Sequence, residues 1–116
     1  MSRRTGSPDV TVAKVATTPT TTSWAQAYYA GTLFAIISLQ KTENPDTLDQ
    51  PLSLIGKDAL NTLEEEYFTL ETKTLDSIKR AVQTTYDKLP PELKRTIIVA
   101  AVVNNVLYLI LNGRLL

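Results

Sequence analysis

Residues 97–111 read IIVAAVVNNVLYLIL, with thirteen apolar side chains in fifteen positions and two adjacent asparagines between them. A membrane-spanning helix needs about twenty predominantly apolar residues, and two amides at its centre would be costly. β-branched side chains dominate the first half and favour strands over helices. Asparagine tolerates a positive φ, so Asn104 and Asn105 suit a two-residue hairpin turn. We predict strands over residues 97–103 and 106–111. One apolar helix, anchoring the C-terminal end in a membrane, is the alternative.

Both faces of the predicted hairpin are apolar. In its second strand three leucines point one way, and Val106, Tyr108 and Ile110 point the other way. A sheet that is apolar on both faces has to be covered on both faces. One uncovered face would leave a larger apolar patch than monomeric proteins usually expose. We therefore expect a homodimer or a protein partner over the second face.

The middle of the chain has the spacing of two amphipathic helices. Apolar residues recur at steps of three and four over residues 52–68, and Pro51 suits the start of that helix. A second helix follows residues 72–74 and ends before Pro90 and Pro91. Its predicted apolar face consists of Leu75, Ile78, Val82 and Leu89.

The N-terminal part of the chain contains the remaining strands. Residues 1–9 are predicted to form a flexible leader, and residues 10–116 form a single domain, either whole or truncated from a longer one. Residues 10–15 alternate like a strand, residues 24–29 continue as a strand, and residues 33–39 are a short apolar run of buried-strand length. The predicted order is β-β-α-α-β-β, an α+β fold with an antiparallel sheet and a helix pair on one face.

Composition excludes several kinds of chemistry. The 116 residues include no histidine and no cysteine, which rules out Ser-His-Asp and Cys-His nucleophiles, disulfides and the usual zinc sites. The formal net charge is zero, so no basic surface favours nucleic acid. No apolar run of signal-peptide length directly follows Arg3 and Arg4, and we expect a cytoplasmic protein. We predict no cofactor and favour a non-enzymatic role.

The element order and two apolar segments resemble a known family. Residues 33–37 (LFAII) would close the first strand, and residues 106–109 (VLYL) with Gly113 and Arg114 would close the hairpin. This pattern is similar to the N-terminal half of the metal-dependent serine/threonine protein phosphatases, the PPM family. The resemblance implies two central sheets sandwiched between helix pairs, and therefore strands that are apolar on both faces.

The resemblance does not extend to the metal site of that family. Where the family places a metal-binding aspartate and a glycine, this chain has Ser38, Leu39, Gln40 and Lys41. Magnesium and manganese need carboxylate oxygens, and a PPM-type reaction needs the metal to generate its nucleophile. The resemblance therefore implies a catalytically inactive or truncated member, and no catalytic, metal-binding or cofactor-binding residue is carried over.

Several clusters of side chains have the residue types of a binding site. Glu64, Glu65 and Glu66, and the loop acids Glu43, Asp46 and Asp49, are more typical of solvated surface than of a cation site. Aromatic residues beside an apolar strand are typical of a core or an interface. We predict an interaction face that comprises Trp24, Tyr28, Phe34, Leu107, Leu109 and Leu111.

Overall fold

The computed structural model describes residues 22–42 and 50–113. Their order is β-β-α-α-β-β, as predicted. The leader and the strand predicted over residues 10–15 lie outside the described residues, as do the acids of the 43–49 loop. The elements are β1 (Ser23–Ala30), β2 (Leu33–Gln40), α1 (Leu52–Phe68), α2 (Leu75–Lys88), β3 (Lys94–Val103) and β4 (Val106–Gly113).

The four strands form one antiparallel sheet in the order β1-β2-β3-β4. Both helices lie on the same face of this sheet, with α1 over β1 and β2 and α2 over β3 and β4. The predicted α+β architecture is therefore confirmed. The core between the helices and the sheet is apolar, and its largest fully buried aliphatic side chains are Leu33, Ile37, Leu39, Leu63, Ile78, Val82, Ile97 and Val99.

The C-terminal hairpin turns at the two asparagines. Asn104 and Asn105 have φ angles of 52° and 65°, the left-handed values that a type I′ hairpin turn requires at both central positions. The helical alternative for residues 97–111 is therefore wrong. Within the described residues, no helix has both the length and the apolar character needed to cross a membrane.

The hairpin strands are longer than the apolar pattern predicted. β3 begins at Lys94, because Lys94, Arg95 and Thr96 pair with the last three residues of β2. Backbone pairing depends on the N–H and C=O groups, so polar side chains at a strand end do not stop it. β4 likewise continues to Gly113, which pairs with Thr96.

Local hydrogen bonds define the N-terminal end of α2. The Thr74 hydroxyl accepts from the Ser77 N–H at 3.1 Å, and the Ser77 hydroxyl accepts from the Thr74 N–H at 2.8 Å. This capping box satisfies two N–H groups that the first turn cannot pair internally. Leu75, predicted on the apolar face, is instead 43% exposed. It is the first residue of α2, and the buried residues of this helix begin at Ile78.

Candidate functional site

The sheet face turned away from the helices is uncovered by any described residue, and we refer to it as the open face. Strand register identifies its members, because alternate residues of a strand point to opposite faces and paired residues point to the same face. The open face contains Ser23, Ala25, Ala27 and Tyr29 of β1, Phe34, Ile36, Ser38 and Gln40 of β2, Lys94, Thr96, Ile98, Ala100 and Val102 of β3, and Leu107, Leu109, Leu111 and Gly113 of β4.

Large apolar side chains protrude from the open face. Leu107, Leu109 and Leu111 are 57%, 69% and 52% exposed, although all three belong to a regular strand. Tyr29 and Phe34 stack on each other with ring centroids 5.9 Å apart, and Tyr29 is also largely exposed. Leucines of this exposure on a solvated sheet are unusual, because one face of an antiparallel sheet is normally polar when it meets water.

Polarity changes along the strands of the open face. One end carries Gln40, Lys94, Ser38 and Thr96, and we call it the polar end. The other end, the apolar end, consists of two complete cross-strand rows and the residues beyond them. The first row is Ala27, Ile36, Ile98 and Leu111, and the second row is Tyr29, Phe34, Ala100 and Leu109.

Side-chain size also changes across the open face. The edge strand β1 presents Ala25 and Ala27, whereas the opposite edge strand β4 presents Leu109 and Leu111. At these positions the open face is low along β1 and high along β4, whereas Tyr29 makes β1 high again beside the β1–β2 turn. Lys94 is the one charged residue that the register places on it.

The predicted interaction face is split between the two sides of the sheet. Phe34, Leu107, Leu109 and Leu111 lie on the open face, but Trp24 and Tyr28 lie on the helix-covered face. Trp24 is only 4% exposed and belongs to the core, so its inclusion in a partner-binding face is corrected. Tyr29 occupies the open-face position on β1 instead.

The signal that separates Tyr28 from Tyr29 is the length of the β1–β2 turn. Gly31 and Thr32 form a two-residue turn, so Ala30 pairs with Leu33, and Tyr29 then pairs with Phe34. A sequence reading that used this turn length would have placed Tyr29 beside Phe34. It would also have placed Trp24 and Tyr28 opposite Leu39 and Ala35, on the side that the helices cover.

Tyr28 has a different role, as a polar contact between the sheet and α1. Its hydroxyl donates a hydrogen bond to a Glu64 carboxylate oxygen. Burial, and then the hydrogen bond and negative charge of Glu64, raise the pKa of Tyr28 to about 12. The pair helps to hold β1 against α1. Glu64 therefore points at Tyr28, whereas its neighbour Glu65 is exposed to solvent.

A groove on the helix side is another concave feature of the described residues. It has a volume of about 380 Å³ and lies between α1 and the segment that follows α2. Asp58, Lys88 and Glu92 contribute its charged groups, and Thr85 lies at its base with its hydroxyl donated to the Ala81 carbonyl. Within the described residues, no three acidic side chains gather as a metal site.

No family model, curated protein or solved structure matches the chain. The resemblance to the PPM phosphatases therefore stays a prediction. The open face is the surface of the described structure whose composition departs most from that of a solvated protein.

Proposed function

We propose that this protein is a self-associating interaction module and that two copies bind through their open faces. The observation that carries the proposal is a set of three exposed leucines along β4, on a sheet face with a single charged residue. The leucines are Leu107, Leu109 and Leu111. The driving force is removal of this apolar surface from water.

The size of the open face fits a specific interface. Four strands about 4.8 Å apart and eight residues of about 3.4 Å each cover roughly 500 Å² in projection. Two such faces together would bury on the order of 1,000 Å², the size that a specific protein–protein interface has to clear. Side chains that protrude, such as Leu109 and Tyr29, add to this area.

The charge of the open face favours a second copy as the partner. A charged partner would need complementary charges, and the open face offers only Lys94, at its polar end. A second copy brings an apolar surface of the same kind, and the formal net charge of zero adds no long-range repulsion between copies. Two sheets that pack face to face also form a core about 10 Å thick, as in β-sandwiches.

The test is the molar mass of the pure protein across concentration, measured by sedimentation equilibrium. We expect the wild type to dimerise in the micromolar range and Leu109→Lys to be monomeric at the same concentrations. Leu75→Lys is the matched control, because it makes the same exchange at an exposed leucine on the helix side. We expect it to dimerise like the wild type.

Two results would contradict self-association. One is a wild type that stays monomeric at several hundred micromolar. The other is a Leu109→Lys variant that is folded by circular dichroism and dimerises as tightly as Leu75→Lys. Binding of an apolar dye to Leu109→Lys and to the wild type then reports how much of the open face is exposed in each.

A second candidate function is a catalytically inactive PPM-type domain. It is supported by the helix pair on one face of an antiparallel sheet whose other face is apolar, since that arrangement is what the resemblance implies. Leu39 is fully buried under the helices, and Ser38 and Gln40 supply no carboxylate. We expect no manganese-dependent hydrolysis of p-nitrophenyl phosphate. Turnover by the pure protein that disappears with a chelator would contradict the inactive assignment.

A further inference from the structure

We propose a specific arrangement of the two copies: a two-fold axis that runs parallel to the strands and passes between β2 and β3. This inference rests on the proposed self-association and adds which residues meet. The axis places β4 of one copy over β1 of the other, and β2 over β3. Each cross-strand row of the open face then lies over the same row of the second copy.

Side-chain size supports this arrangement. With the axis parallel to the strands, β4 of one copy meets β1 of the other. The exposed Leu109 meets the exposed Tyr29, an apolar contact, and the bulky Leu111 meets a small residue. Leu111 then faces Ala27 of the other copy, because both residues belong to the same row. In the next row Phe34 faces Ala100, which is again a large side chain over a small one. The Leu111–Ala27 and Phe34–Ala100 pairs fill space without the strain that overpacking causes.

Polarity supports the same arrangement. Because rows face identical rows, the polar end of one copy lies over the polar end of the other, and Ser38 faces Thr96. Lys94 faces Gln40 and is not placed over an apolar side chain or another lysine. Polar groups therefore meet polar groups or the solvated rim, and the apolar ends are buried together.

The other aligned two-fold arrangement fits less well. An axis in the interface plane but perpendicular to the strands places β4 over β4 and β1 over β1. The exposed leucines would then stack on one another along one edge, and the alanines of β1 would leave a gap along the other edge. It would also reverse the rows, so that Lys94 and Gln40 would lie toward the apolar end of the second copy.

A double-substitution experiment distinguishes the two arrangements. Ala27→Leu adds bulk opposite Leu111 of the other copy, so we expect its dimer dissociation constant to rise at least tenfold. Adding Leu111→Ala should bring the constant back to within about threefold of the wild type. Within one copy Ala27 and Leu111 are three strands apart, about 14 Å, so a rescue has to act between copies.

The matched control is Ala27→Leu combined with Leu107→Ala. It removes the same atoms from the same strand, at a position outside the row of Ala27, and we expect no rescue. Equal behaviour of the two double variants would overturn the parallel axis, provided that both are folded by circular dichroism.

Crosslinking gives a second measurement that does not depend on added bulk. The chain has no cysteine, so Ala27→Cys and Leu111→Cys can be mixed as single-thiol proteins and joined with a short bismaleimide. Predominant 27–111 products support the parallel axis, and predominant 27–27 or 111–111 products overturn it. A monomeric wild type would overturn the self-association itself. A wild-type dimer that Leu109→Lys dissociates, without any 27–111 product, would overturn only this arrangement.

Discussion

The indole ring of Trp24 lies directly against the backbone of Gly56. A Cβ atom built on Gly56 would overlap the six-membered ring of the indole. Trp24 is the helix-facing residue near the start of β1, and Gly56 lies in the second turn of α1. Glycine in a helix interior costs up to about 1 kcal/mol relative to alanine. Here the missing side chain lets α1 approach the sheet closely enough to cover the tryptophan.

We expect Gly56→Ala to destabilise the protein. The gain in helix propensity is about 1 kcal/mol, whereas overpacking a core contact typically costs about 1–3 kcal/mol, and the overlap with Trp24 is severe. The expected net loss in the free energy of unfolding is roughly 1–2 kcal/mol. Urea unfolding followed by fluorescence measures it, because Trp24 is the sole tryptophan. The exposed neighbour Lys57→Ala is the control, and a Gly56→Ala variant more stable than the wild type would contradict the contact.

Arg95 closes the C-terminal end of α2. Its Nη1 donates to the carbonyls of Tyr86 at 3.1 Å and Leu89 at 3.0 Å, and its guanidinium lies 4.2 Å from the centroid of the Tyr86 ring. Lysine keeps the charge but lacks the planar group that makes these contacts together. We expect Arg95→Lys to cost about 1–2 kcal/mol of stability. Urea unfolding measures the loss, and Lys79→Gln on the exposed side of α2 should change stability little. An Arg95→Lys variant as stable as Lys79→Gln would contradict a stabilising role of the planar guanidinium group.

The contact between Tyr28 and Glu64 predicts a pH dependence of stability. The pKa of Tyr28 is raised to about 12 in the folded protein, above its ordinary value of 10, so the folded state holds the proton more tightly than the unfolded state. The stabilisation is complete below pH 10 and is lost as the pH rises from 10 to about 12. We expect Tyr28→Phe to lose less stability than the wild type between pH 9 and pH 11.5, as measured by urea unfolding at each pH.

Gln26→Ala is the control for this pH dependence. Gln26 is an exposed residue of β1 without an ionisable group, and the substitution leaves Tyr28 and Glu64 in place. The alkaline loss of stability of this variant should equal that of the wild type. A Tyr28→Phe variant with the alkaline slope of the wild type would remove Tyr28 as the cause.

The asparagine turn predicts opposite effects of two substitutions at Asn105. Its φ of 65° suits glycine even better than asparagine, whereas a β-branched residue at this φ is strained. We expect Asn105→Gly to leave stability unchanged or raise it by a few tenths of a kcal/mol. Asn105→Val should lower stability by about 1–3 kcal/mol. Thermal unfolding by circular dichroism compares them, and equal melting temperatures for both variants would contradict a type I′ turn.

Element types and order could be predicted from the sequence because they follow from local patterns. The β-branched run before Asn104, the apolar steps of three and four in α1, and the prolines after α2 each act within a few residues. The apolar character of both faces of β4 could also be predicted from the run of apolar residues over 106–111. These signals led to the α+β fold and to the idea of a second layer.

The composition of the candidate site could be predicted only in part. Leu107, Leu109 and Leu111 were assigned to one face by alternation within a single strand, and register confirms that they share a face. The prediction that Trp24 and Tyr28 share this face rests on their residue type alone. Which face a β1 residue occupies depends on how β1 pairs with β2, and that pairing puts Trp24 under α1.

Taken alone, the amino-acid order determined the C-terminal hairpin, the two helices and the apolar character of both sides of β4, because periodicity and turn chemistry are local properties. Tertiary structure decided which strand residues the helices cover, so that Trp24 is buried in the core and Leu109 lies on the open face. Those outcomes depend on strand order and register, which bring together residues as distant in sequence as Ala27 and Leu111 in one row of a common surface.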